Sequence, residues 1–321
     1  MCYACRGQGK WRGQRRGNRV NRFEGIFPIV NTTFDEAGGL DLDSQLCLVR
    51  FLLDCGAQGL ALFGTAGEGY TLSSEERLTL LRAIVREVDG RIPIIVSTGH
   101  TGTDVAVALS VQAQKEGAAG VMVVPPYYLK PDAEGIFEYY RAIDAALEIP
   151  IMVQDAPLMT GVAMAPGLLA RLAGTLPRAC YAKIEAPPTG PKMTEVRRLA
   201  GDQLTIFGGL NGQFLIEELN RGARGIMPGS DLTDMFVRVH QAWKAGDEAT
   251  ARDEITRYLP IIRYELQPGL GVSAMKHNLA AGGVIASARV RHPTRTLDEI
   301  GLRELAALRE RVPMRALTWA T

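Results

Sequence analysis

From residue 26 onward, short apolar runs of β-forming residues alternate with longer stretches whose apolar positions recur at helical spacing. Residues 26–30, 59–63, 93–97, 120–124, 150–153, 180–184, 204–207 and 225–227 read as strands bounded by glycine, proline and polar residues. Between them, residues 43–55, 74–88, 103–116, 133–147, 166–172, 192–199, 213–220 and 232–244 carry the 3.6-residue period of helices with one buried face. Ser73 with Glu76 forms a capping box, and Pro166 suits a first helical turn. The unit helix, Gly-Ala, strand recurs at Gly56-Ala57, Gly117-Ala118 and Gly222-Ala223, where the glycine would end the helix.

Most of these strands are continuously apolar, as parallel strands covered on both faces are. Eight β/α units in about 225 residues predict an α/β fold of the (β/α)8 TIM-barrel type. A doubly wound open sheet is the competing arrangement. Gly64-Thr65-Ala66-Gly67-Glu68-Gly69 supports it only weakly, because its order is GxxGxG and it follows the second strand. Residues 248–259, 271–280 and 302–312 are helical again. The expected organisation is a barrel over residues 23–245 and a helical extension packed on it over 246–321.

Composition narrows the function classes. The chain has 321 residues, 46% of them hydrophobic, enough for a substantial core. A formal net charge of +1 excludes a nucleic-acid surface over the body of the protein. No apolar run reaches the about 18 residues of a membrane span. Five scattered cysteines make no disulfide framework and point to a reducing, cytoplasmic setting. Residues 1–22 are basic, glycine-rich and aperiodic, without the apolar stretch of a signal peptide. They read as a disordered tail or a start codon placed too early. Cys2 and Cys5 form a lone CxxC without a second pair, and the four histidines are far apart, so no metal site is expected.

Candidate chemistry centres on Cys180-Tyr181-Ala182-Lys183-Ile184-Glu185-Ala186. Strand alternation puts Lys183 and Glu185 on one face and Ala182 and Ile184 on the other. An ammonium in such a run costs free energy unless it is compensated or gives up its proton. A lysine held partly neutral can form an imine with a ketone. The bland alternatives are a lysine that snorkels from an edge strand and a simple ion pair with Glu185. Polar or glycine-rich residues follow the other strands, among them Gly64-Thr65-Ala66, Tyr127-Tyr128, Gln154-Asp155 and Gly208-Gly209-Leu210-Asn211. In a barrel these strand ends would share one mouth.

Four motifs in order carry a family resemblance. Gly64-Thr65-Ala66-Gly67-Glu68, Pro125-Pro126-Tyr127-Tyr128, Pro157-Leu158-Met159-Thr160-Gly161 and Tyr181-Ala182-Lys183-Ile184-Glu185 resemble those of the dihydrodipicolinate synthase/N-acetylneuraminate lyase superfamily, over about residues 24–315. The resemblance implies a (β/α)8 barrel with C-terminal helices, usually a homotetramer, and a small-molecule 2-keto acid substrate with no cofactor. It implies that Lys183 forms a Schiff base with the substrate ketone. It places the substrate carboxylate at Gly64, Thr65 and Ala66, with Asp155, Asn211 and Gly225 as further binding positions. It gives Tyr128 a proton relay reaching an adjacent subunit's site.

The chain departs from this pattern in places. Gln154 stands at the family's catalytic tyrosine, Asp155 at its asparagine, and Met159 at the arginine that serves a second carboxylate. A glutamine cannot relay a proton as a phenol does, nor a methionine hold a carboxylate bidentately. Residues 151–157, Lys183-Ile184-Glu185, 283–287 and Arg291-His292-Pro293 are similar to the branch of L-2-keto-3-deoxyarabonate dehydratases. That implies dehydration of a 2-keto-3-deoxy sugar acid to 2-oxoglutarate semialdehyde, with Glu185 as the proton-transfer group. Phe207 stands where that branch is expected to carry a glutamate. A pyruvate-dependent aldolase or 4-hydroxy-tetrahydrodipicolinate synthase is the alternative. A non-catalytic sugar-acid-binding regulator and a nicotinamide oxidoreductase are more distant ones.

Overall fold

The structure, a computed structural model, describes residues 23–320; the reading of 1–22 lies outside them. Eight strands form one all-parallel sheet: β1 (Gly25–Ile26), β2 (Leu60–Leu62), β3 (Ile94–Ser97), β4 (Gly120–Val123), β5 (Ile151–Asp155), β6 (Tyr181–Ile184), β7 (Thr205–Gly208) and β8 (Gly225–Ile226). Their order is β1-β8-β7-β6-β5-β4-β3-β2. The two ends meet through a parallel bridge between Ile29 and Ala61, where the Val30 N–H donates to the Ala61 carbonyl at 2.9 Å. The sheet therefore closes as a TIM barrel. The predicted strand over 26–30 is shorter than expected because Pro28 has no N–H to give the ladder.

The strands are flanked by α1 (Leu42–Asp54), α2 (Ser74–Val88), α3 (Thr103–Lys115), α4 (Ala133–Ala146), α5 (Pro157–Thr160), α6 (Pro166–Thr175), α7 (Thr189–Ala200), α8 (Leu215–Asn220) and α9 (Thr233–Lys244). The α2 capping box is present in both directions, and Pro166 opens α6. Gly56, Gly117 and Gly222 have φ of +82°, +99° and +85°, the left-handed turn that ends a helix before the next strand. The one-turn α5 was not expected. Three more helices follow: α10 (Glu248–Glu265), α11 (Gly271–Ala281) and α12 (Glu299–Arg309). The expected end of α10 at 259 is corrected to Glu265, since Pro260 lies inside that helix.

Alternation sorts the strand residues into two cores. Phe27, Ile29, Ile95, Met122, Met152, Tyr181 and Phe207 fill the barrel interior. Val121, Val123, Ile151, Val153, Ala182, Ile184 and Ile206 face outward against the helices. The C-terminal helices pack instead on α8, α9, Ile26 and Ile226.

The segment after α11 returns across the mouth of the barrel. Lys276 of α11 and Glu68 form a fully buried ion pair, and the Arg291 N–H donates to Glu68 Oε1 at 2.9 Å. Lys276 Nζ also donates to the Arg289 carbonyl at 2.7 Å. The Arg291 guanidinium grips Glu76 with two bonds of 2.6 and 2.9 Å and lies 4.2 Å above the Phe34 ring. Burial pulls the Lys276 ammonium down to about 8 against the opposing pull of Glu68. Breaking such a pair leaves a bare buried charge. Lys276→Met is expected to lower unfolding stability by about 3–5 kcal/mol in urea titration; a loss under about 1 kcal/mol would contradict this placement.

Candidate active site

The C-terminal ends of the strands and the first turns after α10 and α11 enclose a cavity of about 400 Å³. Its wall includes Thr65, Ala66, Lys183, Glu185 and Asn211 from the barrel, with Glu265, Gln267, Met275 and Thr294 from the C-terminal segment. A second hollow of about 550 Å³ lies at the opposite end among Phe23, Pro93, Ile94, Pro150 and Tyr181. Among the described residues its wall is mostly apolar and includes no lysine or cysteine. Reactive groups are thus gathered at the first cavity.

Strand β6 positions the reactive pair. Tyr181 and Lys183 point inward, with Tyr181 packed on Phe23 at a ring separation of 4.9 Å beneath the lysine. Register sets Gln154 of β5 and Phe207 of β7 on either side of Lys183. Lys183 Nζ lies 3.2 Å from Glu185 Oε2, and both residues are buried. The Gln154 amide donates to that same oxygen at 2.8 Å, and the Leu210 N–H donates to Glu185 Oε1 at 3.1 Å. Glu185 is therefore a fixed carboxylate with three donors around it. A Cβ at Gly209 would lie 2.4 Å from its Cγ and Oε1, so only glycine lets it reach this position.

Thr65 and Ala66 form a short 3₁₀ turn on the opposite wall. The Ala66 carbonyl accepts from Asn31 Nδ2 at 2.7 Å, which holds the turn to the strand β1 side. Thr65 Oγ1 lies 2.9 Å from the Met159 sulfur. Gly64 underlies this turn, accepting through its carbonyl from the Gly67 N–H at 3.0 Å, but does not itself line the cavity. Asn211 sits at φ +48° with its Nδ2 donating to Glu265 Oε2 at 2.7 Å and its Oδ1 accepting from the Gly229 N–H at 2.8 Å. Behind it, Asn278 Nδ2 donates to Asp231 Oδ2 at 2.7 Å and to Glu265 Oε1 at 3.1 Å. Burial raises both carboxyls of the Asp231/Glu265 pair, and the Asp231 charge pushes Glu265 up further.

Two expected site positions, Asp155 and Gly225, do not join this group, and Tyr128, expected at an adjacent subunit's site, lies outside it too. Asp155 follows Gln154 on β5 and so faces outward, where its carboxylate meets Lys192 of α7 at 2.5 Å. Gly225 opens β8 against Gly25, far down the barrel, with a Cβ at that point only 2.1 Å from the Gly25 carbonyl oxygen. Tyr128 is 89% exposed on the loop before α4 and lines no part of the cavity. Conversely, Glu265, Asp231 and Glu218 are buried acids near the site that the sequence reading did not single out. Among the described residues, no group of three or more His, Cys, Asp or Glu is arranged to hold a metal ion. Among the same residues, no helix is long and apolar enough to cross a membrane.

The barrel itself is shared with known proteins. Residues 22–311 match the dihydrodipicolinate synthetase family. The chain belongs to that family. It is 40% identical to the L-2-keto-3-deoxyarabonate dehydratase of Azospirillum brasilense, over 93% of this chain and 97% of that protein. It is 36% identical to a 4-hydroxy-tetrahydrodipicolinate synthase of Trichlorobacter lovleyi, over 72% of this chain and 79% of the relative. Among solved structures, the dihydrodipicolinate synthase of Rhodopseudomonas palustris superimposes with a TM-score of 0.85 at 31% identity, covering 90% of this chain and 98% of the other. Within this family, the present chain is one with a glutamine beside its strand-six lysine and a methionine against its Thr65 hydroxyl.

Proposed function

We propose that the chain is an imine-forming lyase that dehydrates a five-carbon 2-keto-3-deoxy sugar acid of the L-2-keto-3-deoxyarabonate type to 2-oxoglutarate semialdehyde. The observation that carries this reading is the Lys183–Glu185 contact at 3.2 Å, with Gln154 rather than a phenol as the third member. Similarity to the Azospirillum brasilense dehydratase over nearly the whole chain supports it.

The Lys183 amine adds to the C2 carbonyl, and loss of water leaves an iminium. The substrate carboxylate then lies at the Thr65-Ala66 turn, where a hydroxyl and backbone amides stabilise an anion. The iminium draws electrons from C3, and Glu185 takes the C3 proton to give an enamine. The enamine electrons expel the C4 hydroxyl, which leaves as water with the proton returned by protonated Glu185. Loss of a C5 proton and return of one to C3 give the C4=C5 enol, and passage of its hydroxyl proton to C4 makes the aldehyde. Hydrolysis then frees Lys183. One carboxylate serves both proton transfers, so no phenol is required.

A synthase reading needs a second carboxylate bound beside the iminium. Met159 offers a thioether there, which binds no carboxylate. The two readings are separated by supplying 2-keto-3-deoxyarabonate in one assay and pyruvate with aspartate semialdehyde in another. Semialdehyde is expected from the first and no condensation from the second; the reverse outcome would refute the dehydratase reading.

A further inference from the structure

Glu218 on α8 is completely buried, and neither carboxyl oxygen has a hydrogen-bond partner among the described residues. The Thr189 hydroxyl of α7 stands beside it, beyond the reach of a well-formed bond. The carboxyl presses on the outer side of β7, where a Cβ at Gly208 would lie 1.8 Å from Glu218 Oε2. The next residue, Gly209, makes the same allowance for Glu185 on the inner side. Two successive glycines thus admit two carboxyls, one from each face, to the same stretch of backbone. An isolated buried acid costs stability without a compensating contact. The charged groups that bear on it are Glu185 just past β6, Glu217 of its own helix and Lys183 of β6; α7 presents the Thr189 hydroxyl. Burial pushes the Glu218 carboxyl up to about 8, with the Glu185 charge adding to the rise, so it is protonated at neutral pH.

We infer that Glu218 is a positioning residue for the reaction, an uncharged acid behind β7 that leaves Glu185 as the one negative charge beside Lys183. This rests on the imine-forming reading of the site. With Glu218 neutral, the Lys183–Glu185 pair carries no net charge, and either member can exchange a proton. Ionised, Glu218 would set a second negative charge against the pair. That charge would repel the Glu185 carboxylate and attract the Lys183 side chain, disturbing the pair that carries the chemistry. The acid acts through its neighbours and does not touch substrate.

The test follows imine formation with pyruvate, trapped by borohydride and read by intact mass, from pH 6 to 10. Wild type is compared with Glu218→Gln, which keeps the shape but cannot ionise, and with Glu217→Gln on the exposed face of the same helix as a control. The ratio of the Glu218→Gln rate to the wild-type rate is expected to rise from about 1 at pH 6.5 to about 10 at pH 9.5, while the control ratio stays flat. The thermal midpoint of Glu218→Gln relative to wild type should also climb between pH 4.5 and about 8, because the wild-type fold must keep a proton that the unfolded chain releases in that window. A merely structural role would move the midpoint and leave the rate ratio flat. A trapped adduct with a flat ratio would overturn this inference alone. No adduct from wild type at any pH would overturn the imine reading, and the inference with it.

Discussion

Lys183→Arg is expected to abolish covalent capture of pyruvate. Treatment with borohydride should add the reduced pyruvate mass to the wild type, at residue 183, and nothing to the variant. Arginine keeps the positive charge beside Glu185 but is never a neutral amine, so it tests nucleophilicity apart from the ion pair. Turnover should fall by about 10⁴-fold or more, the scale on which loss of a covalent nucleophile acts. Lys276 is the control among the other lysines. It too is buried, but its ammonium is held by Glu68 and the Arg289 carbonyl and does not line the cavity that holds Lys183. An adduct mapped to any lysine other than 183 would dismantle the proposed mechanism.

Glu185→Gln separates the covalent step from the proton transfers. The variant retains Lys183 and should still form the trappable imine, while dehydration drops by about 10²–10⁴-fold. The same loss should appear in a reaction without elimination, the exchange of pyruvate C3 protons for deuterium in heavy water. Exchange at the wild-type rate would assign the base to another group. Gln154→Glu and Gln154→Tyr are less direct probes, since each disturbs the 2.8 Å bond that orients the carboxylate.

The barrel was legible in the chain because its information is local. Period-2 and period-3.6 runs, one capping box and the recurring Gly-Ala helix ends suffice to place eight β/α units. Lys183 and Glu185 were legible for the same reason, since strand alternation alone puts them on one face. The same rule separates Gln154 from Asp155. Adjacent strand residues cannot both face the cavity, and Asp155 belongs to Lys192.

The buried acids were harder to see. A carboxylate or ammonium on a helix reads as solvent-facing unless its face is checked. Glu218 shares the helical face of Leu215 and Leu219, both buried, so the period did carry a signal there. Asp231, Glu265 and Asn278 come from a loop and two helices, and their network exists only after tertiary docking. No spacing in the chain encodes that meeting. The position of Gly225 was carried over from the resemblance, whereas its place at the start of β8 sets it on the far side of the inner core.

The segment that crosses the mouth has a temporal meaning as well. Glu68 emerges from the ribosome some two hundred residues ahead of Lys276, whose ammonium neutralises it, and of Arg291, whose backbone N–H it accepts. Throughout that interval the turn bearing Thr65 rests on a carboxylate that has yet to meet its cation. The ring of strands can be complete in a growing polypeptide well before the floor beneath the proposed carboxylate site is set, and the mouth takes its final form only in the nearly finished chain.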